Sequence, residues 1–188
     1  MLFVISGPSG SGKTTIAREV ARRNTAIHLT VSCTTRLAKN GEEDGKDYYF
    51  ITREEFQRRV EVGDFAEWAE VHSNLYGTPM MELSLGLWQS GDVLLEIDVQ
   101  GMQTVKSKFL SAACTIFVVP PSLKALEDRL RERRRGDTVE ERTKRLIHAI
   151  DEIAQAPTFD HIVLNDTGKL DVAVREVLEI IKRSRAHA

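Results

Sequence analysis

Residues 7–14 read Gly7-Pro8-Ser9-Gly10-Ser11-Gly12-Lys13-Thr14, the spacing G-x-x-x-x-G-K-[ST]. The chemistry such a segment does is phosphate binding. Glycines let the backbone wrap closely enough to aim successive N–H groups at phosphate oxygens, and a helix starting there adds the positive end of its dipole. Lys13 would bridge the β- and γ-phosphates of a nucleotide, and the Thr14 hydroxyl would ligate Mg²⁺. The motif requires a strand before it and a helix after it. Leu2-Phe3-Val4-Ile5 supplies the first, and the periodicity of Thr14 to Arg23 supplies the second. A plain glycine turn that opens a helix would meet both conditions only by coincidence. P-loop proteins hydrolyse, switch, pump or phosphorylate, so the loop alone goes no further than nucleotide binding.

Two further sets of residues suit phosphoryl chemistry. Arg129, Arg131, Arg133, Arg134, Arg135, Arg142, Lys144 and Arg145 lie close together around Gly136-Asp137, a stretch without an apolar anchor that reads as a mobile loop. A loose phosphoryl-transfer transition state spreads charge over oxygens and rewards cations placed around it. A lid that closes with both substrates present also keeps water from acting as acceptor. Within this group Arg131, Arg134, Arg142 and Lys144 read as solvated helix faces. Glu96 ends the apolar run Val93-Leu94-Leu95 and is placed like a Walker-B acid, holding Mg²⁺ through water. The alternative is a strand-end carboxylate without a ligand.

These residues need a scaffold, and the remaining pattern supplies one. Apolar β-rich runs recur at Leu2 to Ile5, Val93 to Ile97, Thr115 to Val119 and His161 to Leu164. Helical periodicity marks Thr14 to Arg23, Leu123 to Arg133, Val139 to Ile153 and Leu170 to Ile181. That alternation predicts an α/β fold, a parallel P-loop sheet flanked by helices. Between about Val31 and Thr78 the texture changes: aromatic-bearing runs (Tyr48-Tyr49-Phe50, Phe65-Ala66-Glu67-Trp68) alternate with polar turns and a short helix near Glu54 to Val60. This predicts an inserted small mixed or antiparallel subdomain.

With 188 residues, 41% hydrophobic and 29% charged, the sequence is that of one ordinary folded domain, and its net charge of -2 argues against a bulk polyanion partner such as duplex DNA. Cys33 and Cys114 stand apart, with no neighbouring Cys or His at metal spacing, and read as free thiols. The first residues are too short an apolar run for a membrane helix and lack the charged start of a signal peptide, so a cytoplasmic location is expected. Trp68 and Trp88 read as packing residues.

The ordered set Ser32-Cys33-Thr34-Thr35-Arg36, Gly41-Glu42, Gly45-Lys46-Asp47-Tyr48-Tyr49-Phe50, Glu67, Tyr76-Gly77-Thr78 and Glu96-Ile97-Asp98-Val99-Gln100-Gly101 resembles guanylate kinases. The resemblance continues through Pro120-Pro121-Ser122 and the arginine-rich stretch to Asn165-Asp166. It implies phosphoryl transfer from MgATP to GMP, and to dGMP, giving ADP and GDP in purine nucleotide metabolism. It further implies a core of residues 1–31, 79–128 and 146–188, a GMP-binding subdomain of residues 32–78 and a lid of residues 129–145. Guanine offers donors at N1 and N2, which Glu67 and Asp98 suit as acceptors; adenine would leave those carboxylates facing an unprotonated N1. Ser32 and Thr78 would hydrogen-bond the O6 side. Arg36, Tyr48 and Tyr76 match the family's phosphate ligands. Arg129, Arg133 and Arg145 match the arginines around the transferring group, with Arg134 or Arg135 as alternatives to Arg133. Asn165 would touch the adenine of ATP.

One departure stands out. The family's R-x-P-R arrangement reads Arg36-Leu37-Ala38-Lys39 here, so Lys39 keeps the charge of the second arginine and loses its bidentate fork. ATP and GMP are the expected partners of a monomer or homodimer, with no nucleic acid and no membrane. A P-loop kinase for a sugar phosphate would lack Glu67, Thr78 and Asp98 as base readers, and a non-catalytic guanylate-kinase-like interaction module would not need an intact Gly12-Lys13-Thr14.

Overall fold

The computed structural model describes residues 1–71, 73–109, 113–133 and 138–186, with the side chains of Arg133, Glu141 and Arg142 outside that description. Five parallel strands form the central sheet: β1 (Leu2–Ser6), β2 (Ile27–Leu29), β7 (Asp92–Glu96), β8 (Ala113–Val119) and β9 (His161–Leu164), in the order β2-β7-β1-β8-β9. All their pairings are parallel. The three central strands are almost wholly buried, because a parallel sheet covered on both faces has no wet side to alternate toward.

Alternate residues of these strands feed two separate cores. Phe3, Ile5, Leu94, Ile116 and Val118 pack under α1 (Lys13–Arg23) and α7 (Leu170–Ala186). Leu2, Val4, Val93, Leu95 and Phe117 pack under α3 (Met80–Ser90) and α4 (Val99–Phe109), together with Ala66 from the second sheet. The paired helices α5 (Leu123–Arg133) and α6 (Val139–Ala154) close a smaller cluster around Leu126, Leu130 and Ala149.

The second sheet has four strands, β3 (Cys33–Thr34), β4 (Tyr49–Phe50), β5 (Phe65–Val71) and β6 (Asn74–Pro79), in the order β4-β3-β6-β5. It is mixed: β3 pairs β4 in parallel and β6 antiparallel, and β5 pairs β6 antiparallel. Its own core is Cys33, Phe56, Phe65 and Leu75, with Phe56 and Phe65 stacked at 4.5 Å. Phe56 comes from α2 (Arg53–Glu61), which opens on Thr52, whose hydroxyl accepts from the Glu55 N–H at 3.2 Å.

The strands and helices expected from sequence lie where the periodicity put them, with ends shifted by a few residues. Three elements were not singled out. β2 is three residues long, too short to show a period, and α3 and α4 combine apolar and small residues without a clean polar face. Both cysteines are buried free thiols. Trp68 packs edge-on against Phe56 at 6.5 Å, and Trp88 lies exposed on α3.

Candidate active site

The phosphate loop lies between β1 and α1, where sequence alone placed it. Gly12 begins α1 at φ 94, a left-handed conformation that disfavours any side chain, and a Cβ there would fall 2.2 Å from Asn165 Nδ2. Asn165, just beyond β9, is buried and donates its amide to the Ser11 carbonyl at 2.7 Å. Arg129 on α5 donates to the same carbonyl at 3.3 Å and to the Asn165 carbonyl at 2.9 Å. Asn165, expected at the adenine of ATP, holds the Ser11 carbonyl of the loop, and Gly12 leaves it room to approach.

Thr14, in the first turn of α1, donates its hydroxyl to Glu96 at 2.5 Å. A hydroxyl and a carboxylate at that spacing are hard oxygen ligands that fit Mg²⁺. Among the described residues there is no cluster of three or more His, Cys, Asp or Glu able to hold a metal.

Of the residues expected at the acceptor, Ser32, Thr78 and Glu67 form one connected group, with Asp98 beside it across Gly101. Glu67 and Thr78 are cross-strand partners in β5 and β6, beside a register irregularity between Phe65 and Glu67. Glu67 Oε1 accepts from the Thr78 N–H at 2.9 Å and hydroxyl at 2.6 Å, and the Ser32 hydroxyl lies 3.1 Å from that of Thr78. Asp98, in the turn that opens α4, accepts from the Gly101 N–H at 2.8 Å. Glu67 is 3% exposed, and burial pushes its carboxyl up to about 7 against the Thr78 hydrogen bond, with the Asp98 charge adding to the rise. Burial also raises the Asp98 carboxyl, opposed by the Gly101 N–H and then by the Lys13 ammonium.

Around the opening, Arg36 pairs with both oxygens of Glu42 at 3.0 Å and lies over the Tyr48 ring at 5.4 Å. Tyr48 and Tyr76 meet edge to face at 5.9 Å. The Lys39 N–H also donates to Glu42, at 2.8 Å. Arg18 on α1 pairs with Asp47, tying the core to this loop. On the lid side, Arg145 is half-buried on α6. The expectations placed on the side chains of Arg133, Arg134, Arg135 and Arg142 lie outside the described residues.

Three participants escaped the sequence reading. Gly101 leaves space for the carboxylate pair, since a Cβ there would meet Glu67 Oε2 at 2.5 Å and Asp98 Oδ1 at 3.3 Å. Glu42 was noted with no role, although a carboxylate three residues past Lys39 could have been read as its partner. Glu152 on α6 faces the Ser9 N–H, and its carboxyl is pushed up to about 7 by burial against the opposing Lys13 charge. Its signal was a carboxylate next to Ala149 and Ile153 on the inward stripe of an amphipathic helix.

Comparison with known proteins gives a consistent result. The guanylate kinase family model matches residues 1–184. The guanylate kinase of Thermotoga maritima is 45% identical over 98% of this chain and 87% of its own length, and that of Carboxydothermus hydrogenoformans 41% over 96% and 87%. The crystal structure of guanylate kinase from Anaplasma phagocytophilum superposes with a TM-score of 0.79 at 31% identity, covering 97% of this chain and 85% of that one. A shikimate kinase from Bacteroides thetaiotaomicron, at TM-score 0.53 and 16% identity, shares the fold alone. With its phosphate loop, its neighbouring carboxylates Glu67 and Asp98 and this likeness along nearly all its length, the chain belongs to the guanylate kinase family.

Proposed function

We propose that the chain transfers the terminal phosphoryl group of ATP to GMP, and to dGMP, giving ADP and GDP by direct in-line transfer. The observation that carries this reading is the placement of the Glu67 and Asp98 carboxylates on either side of Gly101, where a Cβ would meet Glu67 Oε2 at 2.5 Å and Asp98 Oδ1 at 3.3 Å. A buried site that offers acceptors to guanine N1–H and N2–H₂ rejects bases lacking those donors, because its own polar groups would stay unpaired. Ser32 and Thr78 take the O6 side, and Arg36, Lys39, Tyr48 and Tyr76 take the acceptor phosphate. Residues 32–78 form the acceptor unit, and residues 129–145 the lid on a core of residues 1–31, 79–128 and 146–188.

Gly7 to Thr14 cradle the donor phosphates, with Asn165 and Arg129 stiffening the loop behind them. Lys13 spans the β- and γ-phosphates, while Arg145 and one of Arg133, Arg134 and Arg135 gather round the group in transfer, with Arg129 beside the loop completing the set. Thr14 and Glu96 would hold Mg²⁺, which neutralises charge on the donor oxygens when bound. No general base is required, since the accepting phosphate oxygen is already ionised. Two buried free cysteines suit a reducing compartment such as the cytoplasm. Among the described residues no helix is long and apolar enough to cross a membrane.

The test is a coupled assay of ADP formation with MgATP and GMP, AMP, CMP or UMP as acceptor. Strong preference for GMP is expected; no turnover with any of the four would overturn the reading. Lys13→Ala is expected to abolish transfer while circular dichroism stays native, and wild-type-like activity in that variant would remove the phosphate loop from the mechanism.

A further inference from the structure

Glu82 lies in the first turn of α3 and is 4% exposed, yet the substrate residues described above do not include it. Its Oε2 accepts from the Val31 N–H at 3.1 Å and lies 2.8 Å from His28 Nε2, and its Oε1 accepts from the Tyr49 hydroxyl at 2.9 Å. These partners come from β2, from the strand-leaving turn behind it and from β4. Val31 directly precedes Ser32, and Tyr49 directly follows Tyr48. One carboxylate therefore holds the neighbour of a base-facing hydroxyl and the neighbour of a phosphate-facing phenol. It does so from the helix that follows β6, the strand bearing Tyr76 and Thr78. A buried carboxylate with three partners on three segments fixes their relative placement, since losing it leaves buried donors without acceptors.

We propose that Glu82 is a positioning residue for the acceptor, setting GMP affinity by holding Ser32 and Tyr48 in register with each other and with the core while touching no substrate. This rests on the acceptor reading above. Glu82→Gln keeps the volume and one oxygen but turns an NH₂ group toward a donor. It is expected to raise KM for GMP about tenfold, the equivalent of one well-made hydrogen bond to a charged group, and to leave kcat and KM for ATP within about twofold. Tyr49→Phe removes a single partner and is expected to raise KM for GMP about threefold with the same split. A folded Glu82→Gln protein with unchanged KM for GMP, or with KM for ATP rising in parallel, would overturn the proposal. Should Glu82→Gln lose its native circular dichroism, Tyr49→Phe decides alone, and an unchanged KM for GMP there overturns it. Wild-type protein serves as the control: failure to turn over GMP at all defeats the acceptor reading and this proposal together, whereas normal wild-type turnover with unaffected variants defeats the proposal by itself.

Discussion

Glu67 carries its carboxyl near neutrality because almost no water reaches it, and the sign of that shift sets two consequences. Its folded value of about 7 lies above the ordinary 4.5, so protonation favours the folded state. The stabilisation is complete below the ordinary value and is lost as pH rises through the folded one. Glu67→Gln retains an oxygen for the Thr78 N–H and hydroxyl and is never charged. Thermal melts of the free protein should therefore show Glu67→Gln gaining more Tm at pH 8 than at pH 5. The same variant should lose at least tenfold in preference for GMP over AMP, since its NH₂ group meets a guanine donor. In the wild type, guanine donors need the ionised carboxylate, so KM for GMP should rise as pH falls below about 7. Lys39 makes a separate prediction. Arg36 and the Lys39 N–H already converge on Glu42, so Lys39→Arg, restoring a bidentate fork beside them, is expected to lower KM for GMP about threefold to tenfold in the same coupled assay.

Between elements, the base pocket depends on α4 approaching β5 without a side chain in the way. Gly101→Ala would drive a methyl group to 2.5 Å from Glu67 Oε2. We expect at least a tenfold loss in kcat/KM for GMP with a smaller change in KM for ATP, checked by varying each substrate in turn. This contact also marks the boundary of what could be read before the structure. The phosphate loop was legible because its chemistry is local: one run of eight residues, with strand and helix signals on either side. The long strands and amphipathic helices were legible by period. The assignment of Glu67 and Asp98 to the base comes from resemblance, since they are 31 positions apart and neither has a local signal as a ligand. The space at Gly101, the Asn165 prop and the Glu152 carboxylate depend on which segments meet across the fold, and no periodicity reports that. Asn165 shows this most clearly: resemblance assigns it to the adenine of ATP, and its contact with the Ser11 carbonyl joins segments 154 positions apart.

Across the whole molecule, the acceptor sheet is spliced into the chain between β2 and α3, so the central sheet has to hold its shape around an insertion. Leu94, fully buried in β7, pairs with Leu29 of β2 and Phe3 of β1 and packs in the core under α1 and α7. Leu94→Ala should cost about 2–5 kcal/mol, seen as a lower urea midpoint at unchanged slope. The second sheet has its own core of Phe56, Phe65 and Leu75, so ordered structure there can persist while the acceptor and donor sites lose their alignment.

The loop that grips ATP is written within the first fourteen residues, but its Ser11 carbonyl is held by Arg129 and Asn165, from 118 and 154 positions further along. A chain still emerging from the ribosome carries the nucleotide motif long before it carries the props. A ligand that grips this loop would stabilise the completed chain by mass action and would find no such cradle in one ending before Arg129.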